Sequence, residues 1–549
     1  MRRVLPWVVA LTIAIIPATG SAQTALDRAD PTLIERTLPA PVAPAEAPTP
    51  PPAADLPVAR SDSATTGVVR AIVVEGQDRL SPALFADVIA SSLGQAMSRA
   101  DLSRLAGRIA DVARARGYPF ATAIVPPQAM ADGVLRVRLE LGRVDAVRVV
   151  GVRSIAADRI LSRALATGRP VRRDELERAL LLVGDLPGIR ITGSRLTRQD
   201  GFGILLVTAQ QDRFSAYAQI DNRGSREVGP VRSTLMGVVR DTLHSGDELT
   251  LIASQTPLQP TEFAFLRARY ATNVGTSGSV LSLSGSVARS QPGGAIKAFD
   301  IEGRSRDLAI TWQYPVVRTR ARSLWAGVEL RTLGTDQTIA GQQLRRDRLT
   351  TLSGTLNGAA LLGGGTLRGE LAGIAGLPVS GATRAGSVLA SRFDGDARYV
   401  AANFVADWTR PLGGPFSLVV AGAGQVASRP LLATAEIGLG GPAFVRGYDY
   451  AERTGDKGIM ASAEVRATIG GIEGSVVDRL QLYGFADGGT VGNLRGGSGG
   501  GTLASTGVGA RIGTGRFDWM VEMALPLNAD RFDTGDRRPR ISLRLSRAF

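Results

Sequence analysis

The sequence predicts a transmembrane antiparallel β-barrel of about 16 strands, preceded by two tandem α+β domains. Three observations carry this. A short apolar leader opens the chain. A strand-helix-helix-strand-strand order occurs twice between Val68 and Ala209. From Arg213 to Phe549 an alternation of apolar and polar residues, period two, replaces all helical periodicity.

Composition narrows the chemistry. The chain has 549 residues, room for about two to four domains. It has no Cys and one His, which excludes a disulfide framework, a thiolate zinc site and a multi-histidine metal site. His244, beside Ser245-Gly246-Asp247, reads as a polar loop residue. No metal, cofactor or catalytic residue is expected. The net charge is +14, yet Lys297 and Lys457 are the only lysines, so the basic excess is arginine. Those arginines are spread along the chain without a dense run, so nucleic acid is not an expected partner. A charged, water-filled interior suits them better.

Residues 1–22 read as a secretory signal: Arg2 and Arg3, an apolar run from Val8 to Ile16, then Gly20-Ser21-Ala22 before Gln23. The run is too short to span a bilayer, and no later stretch approaches about 20 uninterrupted apolar residues. Residues 23–37 hold Leu26, Leu33 and Ile34 at roughly helical spacing, with Pro31 able to open a turn. On a proline tether this piece is either a pore plug or a disordered leader, and composition favours the leader. Residues 38–67 are rich in Pro and Ala, an extended spacer.

Residues 68–142 form the first α+β unit. Val68 to Val74 is a strand ending at Glu75-Gly76. Ser81 caps a helix with Pro82 in its first turn. A second helix runs from Asp101 to Arg116, with Leu102, Leu105, Ile109, Val112 and Ala113 on one face, and Gly117 stops it. Phe120 to Val125 and Val134 to Leu141 are strands. Residues 143–211 repeat the order: strand Val144 to Val150, helices Ile155 to Ala166 and Arg173 to Val183, strands Ile189 to Leu196 and Gly203 to Ala209. The glycines after Val74-Glu75 and Val149-Val150 fall at equivalent places. This order resembles POTRA domains, the periplasmic modules of outer-membrane assembly and secretion barrels. The resemblance implies exposed strand edges that accept an extended polypeptide by β-augmentation.

Residues 212–549 supply the barrel. Ile459, Ala461, Ala463 and Val465 alternate with Met460, Ser462, Glu464 and Arg466. Phe517, Trp519, Val521 and Met523 alternate with Asp518, Met520 and Glu522. One face is apolar and the other polar, as a wall between lipid and water requires, and a sheet in lipid must close. The 337 residues from Arg213 give about 16 strands at roughly 20 residues per strand and connection. A soluble sandwich or propeller is disfavoured by the leader and the strand length. The last strand ends on Phe549. A terminal aromatic there resembles the signal by which outer-membrane barrels are recognised, which implies contact with the barrel-assembly machinery.

The barrel opens with Asp221-Asn222-Arg223-Gly224-Ser225, Gly229-Pro230-Val231-Arg232 and Gly246-Asp247-Glu248-Leu249. These resemble the first strands of the TpsB family, the outer-membrane transporters of two-partner, type V secretion (haemolysin and filamentous-haemagglutinin secretion). Two further motifs match. Val445-Arg446-Gly447-Tyr448 corresponds to the tip of the family's long loop, which folds back into the barrel, here around 438–458. Phe485-Ala486-Asp487-Gly488-Gly489 corresponds to its wall motif. Period two puts Phe485, Asp487 and Gly489 on one face, with Asp487 toward the lumen. A desolvated arginine needs a carboxylate, which a guanidinium meets in a fork, so Arg446 and Asp487 are expected to pair. Gly447 would allow the sharp turn at the tip, and Tyr448 would pack its ring on the wall with its hydroxyl bonded.

The resemblance implies a protein in the outer membrane, its POTRA domains in the periplasm. It would export a secreted partner exoprotein without nucleotide hydrolysis and would contact outer-membrane lipid. The alternatives are a BamA/TamA-like insertase on the same fold, or a diffusion porin, which would need neither POTRA repeat nor inward loop. Enzyme signatures fare poorly. Gly496 to Gly500 matches a nucleophile-elbow pattern only formally, inside a glycine run that reads as a flexible loop. Gly438-Leu439-Gly440-Gly441 lacks the setting of a dinucleotide fingerprint.

Overall fold

The computed structural model describes residues 67–76, 78–128, 131–199, 202–471 and 476–549, besides Pro31. The expected leader, the tether up to residue 66 and the rest of the segment at 23–37 lie outside these residues.

The first small domain holds β1 (Ala71–Glu75), a 3₁₀ turn (Pro82–Phe85) running into α1 (Ala86–Ala90), α2 (Arg99–Ala115), β2 (Thr122–Ile124) and β3 (Val134–Glu140). The second holds β4 (Ala146–Val150), α3 (Ile155–Leu165), α4 (Arg173–Gly184), β5 (Ile189–Gln199) and β6 (Phe202–Gln211). The sheets have one topology, β1-β3-β2 and β4-β6-β5, the first strand parallel to the last and the middle one antiparallel to it. The paired glycines have one physical cause. A Cβ on Gly76 would lie 2.3 Å from the Leu139 carbonyl oxygen, and one on Gly151 would lie 2.4 Å from that of Ala209. Both also sit at positive φ.

Two local expectations shift. Helix α2 starts at Arg99 because Ser98 and Asp101 form a reciprocal capping box. Ser81 makes no capping bond. The Leu84 N–H it would serve already donates to the Ser81 carbonyl at 3.1 Å in the tighter 3₁₀ pattern.

The wall runs β7 (Phe214–Asp221), β8 (Arg232–Arg240), β9 (Asp247–Gln255), β10 (Phe263–Val274), β11 (Ser279–Ser290), β12 (Ile301–Arg318), β13 (Arg322–Ile339), β14 (Gln342–Leu362), β15 (Gly365–Gly376), β16 (Val400–Gly413) and β17 (Phe416–Ala427). Two short strands, β18 (Ile437–Leu439) and β19 (Arg453–Gly455), leave the wall. It resumes with β20 (Lys457–Ile469), β21 (Arg479–Gly492), β22 (Gly501–Thr514), β23 (Phe517–Pro526) and β24 (Arg540–Ala548). The 16 wall strands close antiparallel through β24 and β7. Along β20, Ile459, Ala461 and Val465 face out while Met460, Ser462 and Glu464 are buried inside. Strand β23 repeats the pattern, with Trp519 and Val521 out and Met520 and Glu522 in.

The second small domain sits on one rim. Asp247 accepts backbone N–H bonds from Thr242, Leu243 and His244 at 2.7–2.9 Å and the Tyr270 hydroxyl at 2.8 Å. This turn presents Ser245, whose hydroxyl lies 3.2 Å from that of Ser154 on the domain. Asp185, at the end of α4, takes a bidentate pair from Arg318 at 2.7 and 2.8 Å. Glu177 accepts the Arg320 N–H at 2.6 Å.

Candidate functional site

Between β17 and β20 the chain turns into the barrel. Strands β18 and β19 pair as a hairpin, Ile437 opposite Gly455 and Leu439 opposite Arg453. Its tip carries Val445, Arg446, Gly447 and Tyr448. The left-handed turn rests on Val445, at φ +58° and fully buried. A β-branched residue there is strained and persists only where its surroundings enforce it. Gly447 does not carry the turn, contrary to expectation. It is needed for space: a Cβ would stand 3.0 Å from the Pro526 nitrogen and from the Ser505 Cβ.

Arg446 is buried against the wall. Its Nε donates to Asp487 Oδ2 at 2.9 Å, and its backbone N–H reaches the same oxygen at 3.3 Å. Nη1 donates to Glu464 Oε2 at 2.6 Å and lies 3.5 Å from Glu522 Oε2. Nη2 donates to the Ser462 hydroxyl at 3.1 Å. The guanidinium carbon lies 3.4 Å from the centre of the Phe485 ring, a stacked cation–π contact. Phe485 and Asp487 thus serve the same arginine from one face of β21.

The other motif residues hold the hairpin's body. Gly489 leaves room for Leu439, whose Cδ1 would lie 2.6 Å from a Cβ there. Tyr448 is 1% exposed and packs with Leu439, Val445, Met460 and Leu503. Its hydroxyl donates to the Ala529 carbonyl at 2.9 Å and accepts the Ala529 N–H at 3.1 Å. Phe549 lies at the far end of the wall from the hairpin's root, on the rim that carries the second small domain. It is half exposed, its N–H bound to the Ala216 carbonyl at 2.9 Å, with Arg547 over its ring at 4.5 Å.

Sequence reasoning missed most of the charge network. Each wall carboxylate has a partner besides Arg446. Glu464 Oε1 accepts from Arg466 at 2.6 Å and Arg511 at 3.0 Å. Glu522 accepts from Arg223 at 2.5 Å and the Tyr483 hydroxyl at 2.9 Å. Asp487 accepts the Ser505 hydroxyl, which also takes the Gly447 N–H at 3.2 Å. Arg540 of β24 pairs with Asp449 just past the tip. Glu464 and Glu522 were visible on the polar side of the alternation, but so is every lumen residue. Strand register, which period two does not specify, singles them out.

A second buried arginine holds the hairpin's root. Arg392, in the 377–399 connection, donates to Glu436 and Asp456 at 2.9 Å, Asp394 at 2.7 Å and the Leu494 carbonyl at 2.8 Å. Asp456 also accepts the Leu431 and Leu494 N–H groups at 2.6 and 2.7 Å. The glycine run 496–501 lies over this arginine: a Cβ on Gly497 would fall 2.3 Å from its Nη2. That loop is tied down rather than loose. The Gly499 carbonyl accepts from Thr454 at 3.2 Å, and Ser498 accepts from Asn493 at 2.8 Å.

The assembly holds a hairpin inside the wall. Among the described residues no cluster of His, Cys, Asp and Glu could hold a metal ion. A closed 16-strand barrel with tandem α+β domains on one rim and a hairpin fixed inside defines a class, the POTRA-barrel proteins. The chain belongs to the haemolysin secretion/activation protein family (ShlB/FhaC/HecB), whose model matches residues 202–512, more than half its length. A second model, the ShlB-type POTRA domain, matches residues 68–142. The chain is therefore a two-partner secretion transporter of a partner exoprotein. It is 24% identical over 394 residues to the heme/hemopexin transporter protein HuxB of Haemophilus influenzae, covering 69% of this chain and 68% of that protein. CdiB from Escherichia coli superposes with a TM-score of 0.69 at 17% identity, over 98% of this chain and 100% of that one. CdiB from Acinetobacter baumannii gives 0.62 at 17% identity, over 96% and 98%. BamA from Haemophilus ducreyi lacking POTRA domains 1–3 gives 0.56 at 14% identity, over 88% and 100%. At these identities the superpositions speak to the fold.

Proposed function

We propose that the two POTRA domains, 68–142 and 143–211, receive an extended segment of the partner exoprotein in the periplasm and pass it into the barrel. The hairpin around 438–458 then moves aside as a gate. One observation carries this reading: the hairpin lies inside the wall, held at its tip by Arg446 on Asp487 and Glu464. The second small domain supports it by sitting on the rim through Asp185 and Ser154, which brings its sheet edges to the pore mouth.

The wall network suits a reversible gate. When Arg446 leaves, Glu464 keeps Arg466 and Arg511, Glu522 keeps Arg223, and Asp487 keeps Ser505. No carboxylate is stranded without a donor, the condition that makes breaking a buried pair so costly. The function needs no catalysis and no nucleotide, since folding of the exoprotein outside supplies the bias. Phe549 and the C-terminal strand present the barrel to the assembly machinery, and the apolar band meets outer-membrane lipid.

Comparing the proteins released by cells with and without the gene tests the reading. Loss of one large secreted or surface protein is expected. General depletion of other outer-membrane barrels would point instead to an insertase.

A further inference from the structure

Outside the wall, one step beyond its apolar band, five arginines crowd together on β11, β12 and β14. On β12 the outward side chains Leu308, Ile310, Trp312, Tyr314 and Val316 make an apolar stretch, with the Trp312 and Tyr314 rings stacked at 6.1 Å. Residues 308–316 are nine in number, the length a tilted strand needs to cross hydrocarbon, about 9–11. Leu281 and Leu283 of β11, Val328 and Leu330 of β13, and Leu352 and Leu356 of β14 continue the band sideways.

The next outward row away from the small domains is Val287, Arg306, Gly334 and Arg348, paired in register across four strands. The row after it is Arg289, Arg304, Asp336 and Arg346. Five guanidinium groups thus share two rows on strands about 4.8 Å apart. Two carboxylates answer them. Glu302 takes Arg289 at 2.8 Å and Arg304 at 2.9 Å. Asp336 takes Arg346 at 3.0 Å and Arg348 at 2.9 Å. Arg306 is exposed and carries no ion pair among the described residues. Three positive charges remain uncompensated, and four of the side chains are already held in place by the acids. Like charges on neighbouring strands repel unless an anion joins them.

The position selects the anion. These side chains point away from the lumen, so a polypeptide in transit does not meet them. They lie at the polar edge of the band, where headgroups begin. An arginine fork matches a phosphate in a bidentate manner.

We propose that this patch binds the phosphate groups of a phosphorylated lipid in the outer leaflet, its acyl chains lying on Leu308, Ile310 and Leu283. The assignment rests on reading the rim opposite the small domains as the cell-surface side. It anchors the barrel's tall β12–β14 sector at the interface and fixes its depth in the membrane.

The full chain, purified into phosphatidylcholine nanodiscs, would be offered bisphosphorylated lipid A or the same lipid stripped of its phosphates. Native mass spectrometry then counts retained lipid. Retention of the phosphorylated form should exceed the stripped form about tenfold. Arg306→Gln with Arg348→Gln should remove that preference, and Arg410→Gln, over Trp408 at the other end of the wall, should not. Equal retention of both lipids by the unaltered chain would overturn the proposal without any variant. So would a double variant that migrates as a folded barrel and keeps the preference, or binding of inorganic phosphate with no preference between the lipids. Export is not read in this assay, so a failed transport reading and a failed lipid reading are separable.

Discussion

At the scale of the residue, Arg446 meets three wall carboxylates rather than one, and this changes what its substitution should do. Arg446→Ala removes a buried cation from a wall that keeps other donors for Glu464, Glu522 and Asp487. The barrel should stay folded, with normal heat-modifiable migration, while exported partner falls at least about tenfold, the effect of losing a charged bond of ~1.5–3 kcal/mol. Unchanged export would remove Arg446 from the gate. Exchange of charge, Arg446→Asp with Asp487→Arg, should recover more export than either single reversal. Glu464 sits 2.6 Å from the original guanidinium, so the exchanged aspartate meets it, and adding Glu464→Gln should raise export further. Gly447→Ala is the steric counterpart. Its methyl would crowd the Pro526 backbone and Ser505 at 3.0 Å, an overpacking cost of ~1–3 kcal/mol. The tip should lift and Phe485 lose its stacked arginine. Arg446 and Asp487 were readable because each lies in a motif of its own. Glu464 and Glu522 were not, because a lumen carboxylate looks like any other until the strands are in register.

At the scale of the element, the hairpin is a lever fixed at both ends. Arg446 holds the tip and Arg392 the root, where Glu436 and Asp456 flank the two short strands. Arg392→Met should leave Asp456 buried without its cation, ~3–5 kcal/mol, and free the root while the tip stays latched. More frequent pore opening in planar bilayers is then expected, with Asp456→Asn acting in the same direction. Conductance identical to the parent would show that the root plays no part. The glycine run over Arg392 was legible as a loop but not as a lid, because close approach is a property of the partner side chain. In the first small domain Ser98 and Asp101 make a testable cap. The Ser98 hydroxyl and N–H, followed by Arg104, hold the Asp101 carboxyl down to about 2 from an ordinary 3.8. A depressed carboxyl stabilises above its ordinary value and ceases to do so as pH falls through the folded one. Ser98→Ala should therefore lower the domain's melting midpoint at neutral pH by a few degrees, and the difference should vanish near pH 2. A constant difference across that window would sever the cap from the carboxylate.

At the scale of the whole molecule, the architecture was legible because two periods, 3.6 and then 2, each repeat over long stretches. How the parts lock was not, since the contacts join residues hundreds of positions apart. The closing seam shows this. Strands β24 and β7 pair over only five positions, Arg544 opposite Asp221 to Ala548 opposite Tyr217. Beyond them Asn222 takes over with its side chain, donating to the Ile541 carbonyl at 3.0 Å and accepting the Leu543 N–H at 2.7 Å. Arg223 then reaches Glu522 on β23, so the seam is bridged by charge through an oxygen that Arg446 does not use. The hairpin can leave without taking that bridge with it, which favours export through a wall that remains closed. A disulfide across the seam separates this from lateral opening. Gln219 and Ser546 are direct cross-strand partners, and the chain has no native cysteine to compete. Gln219→Cys with Ser546→Cys, oxidised, should export at the parental rate with or without reductant. Export that stops on oxidation and returns on reduction would mean that the seam, rather than the hairpin alone, opens during transport.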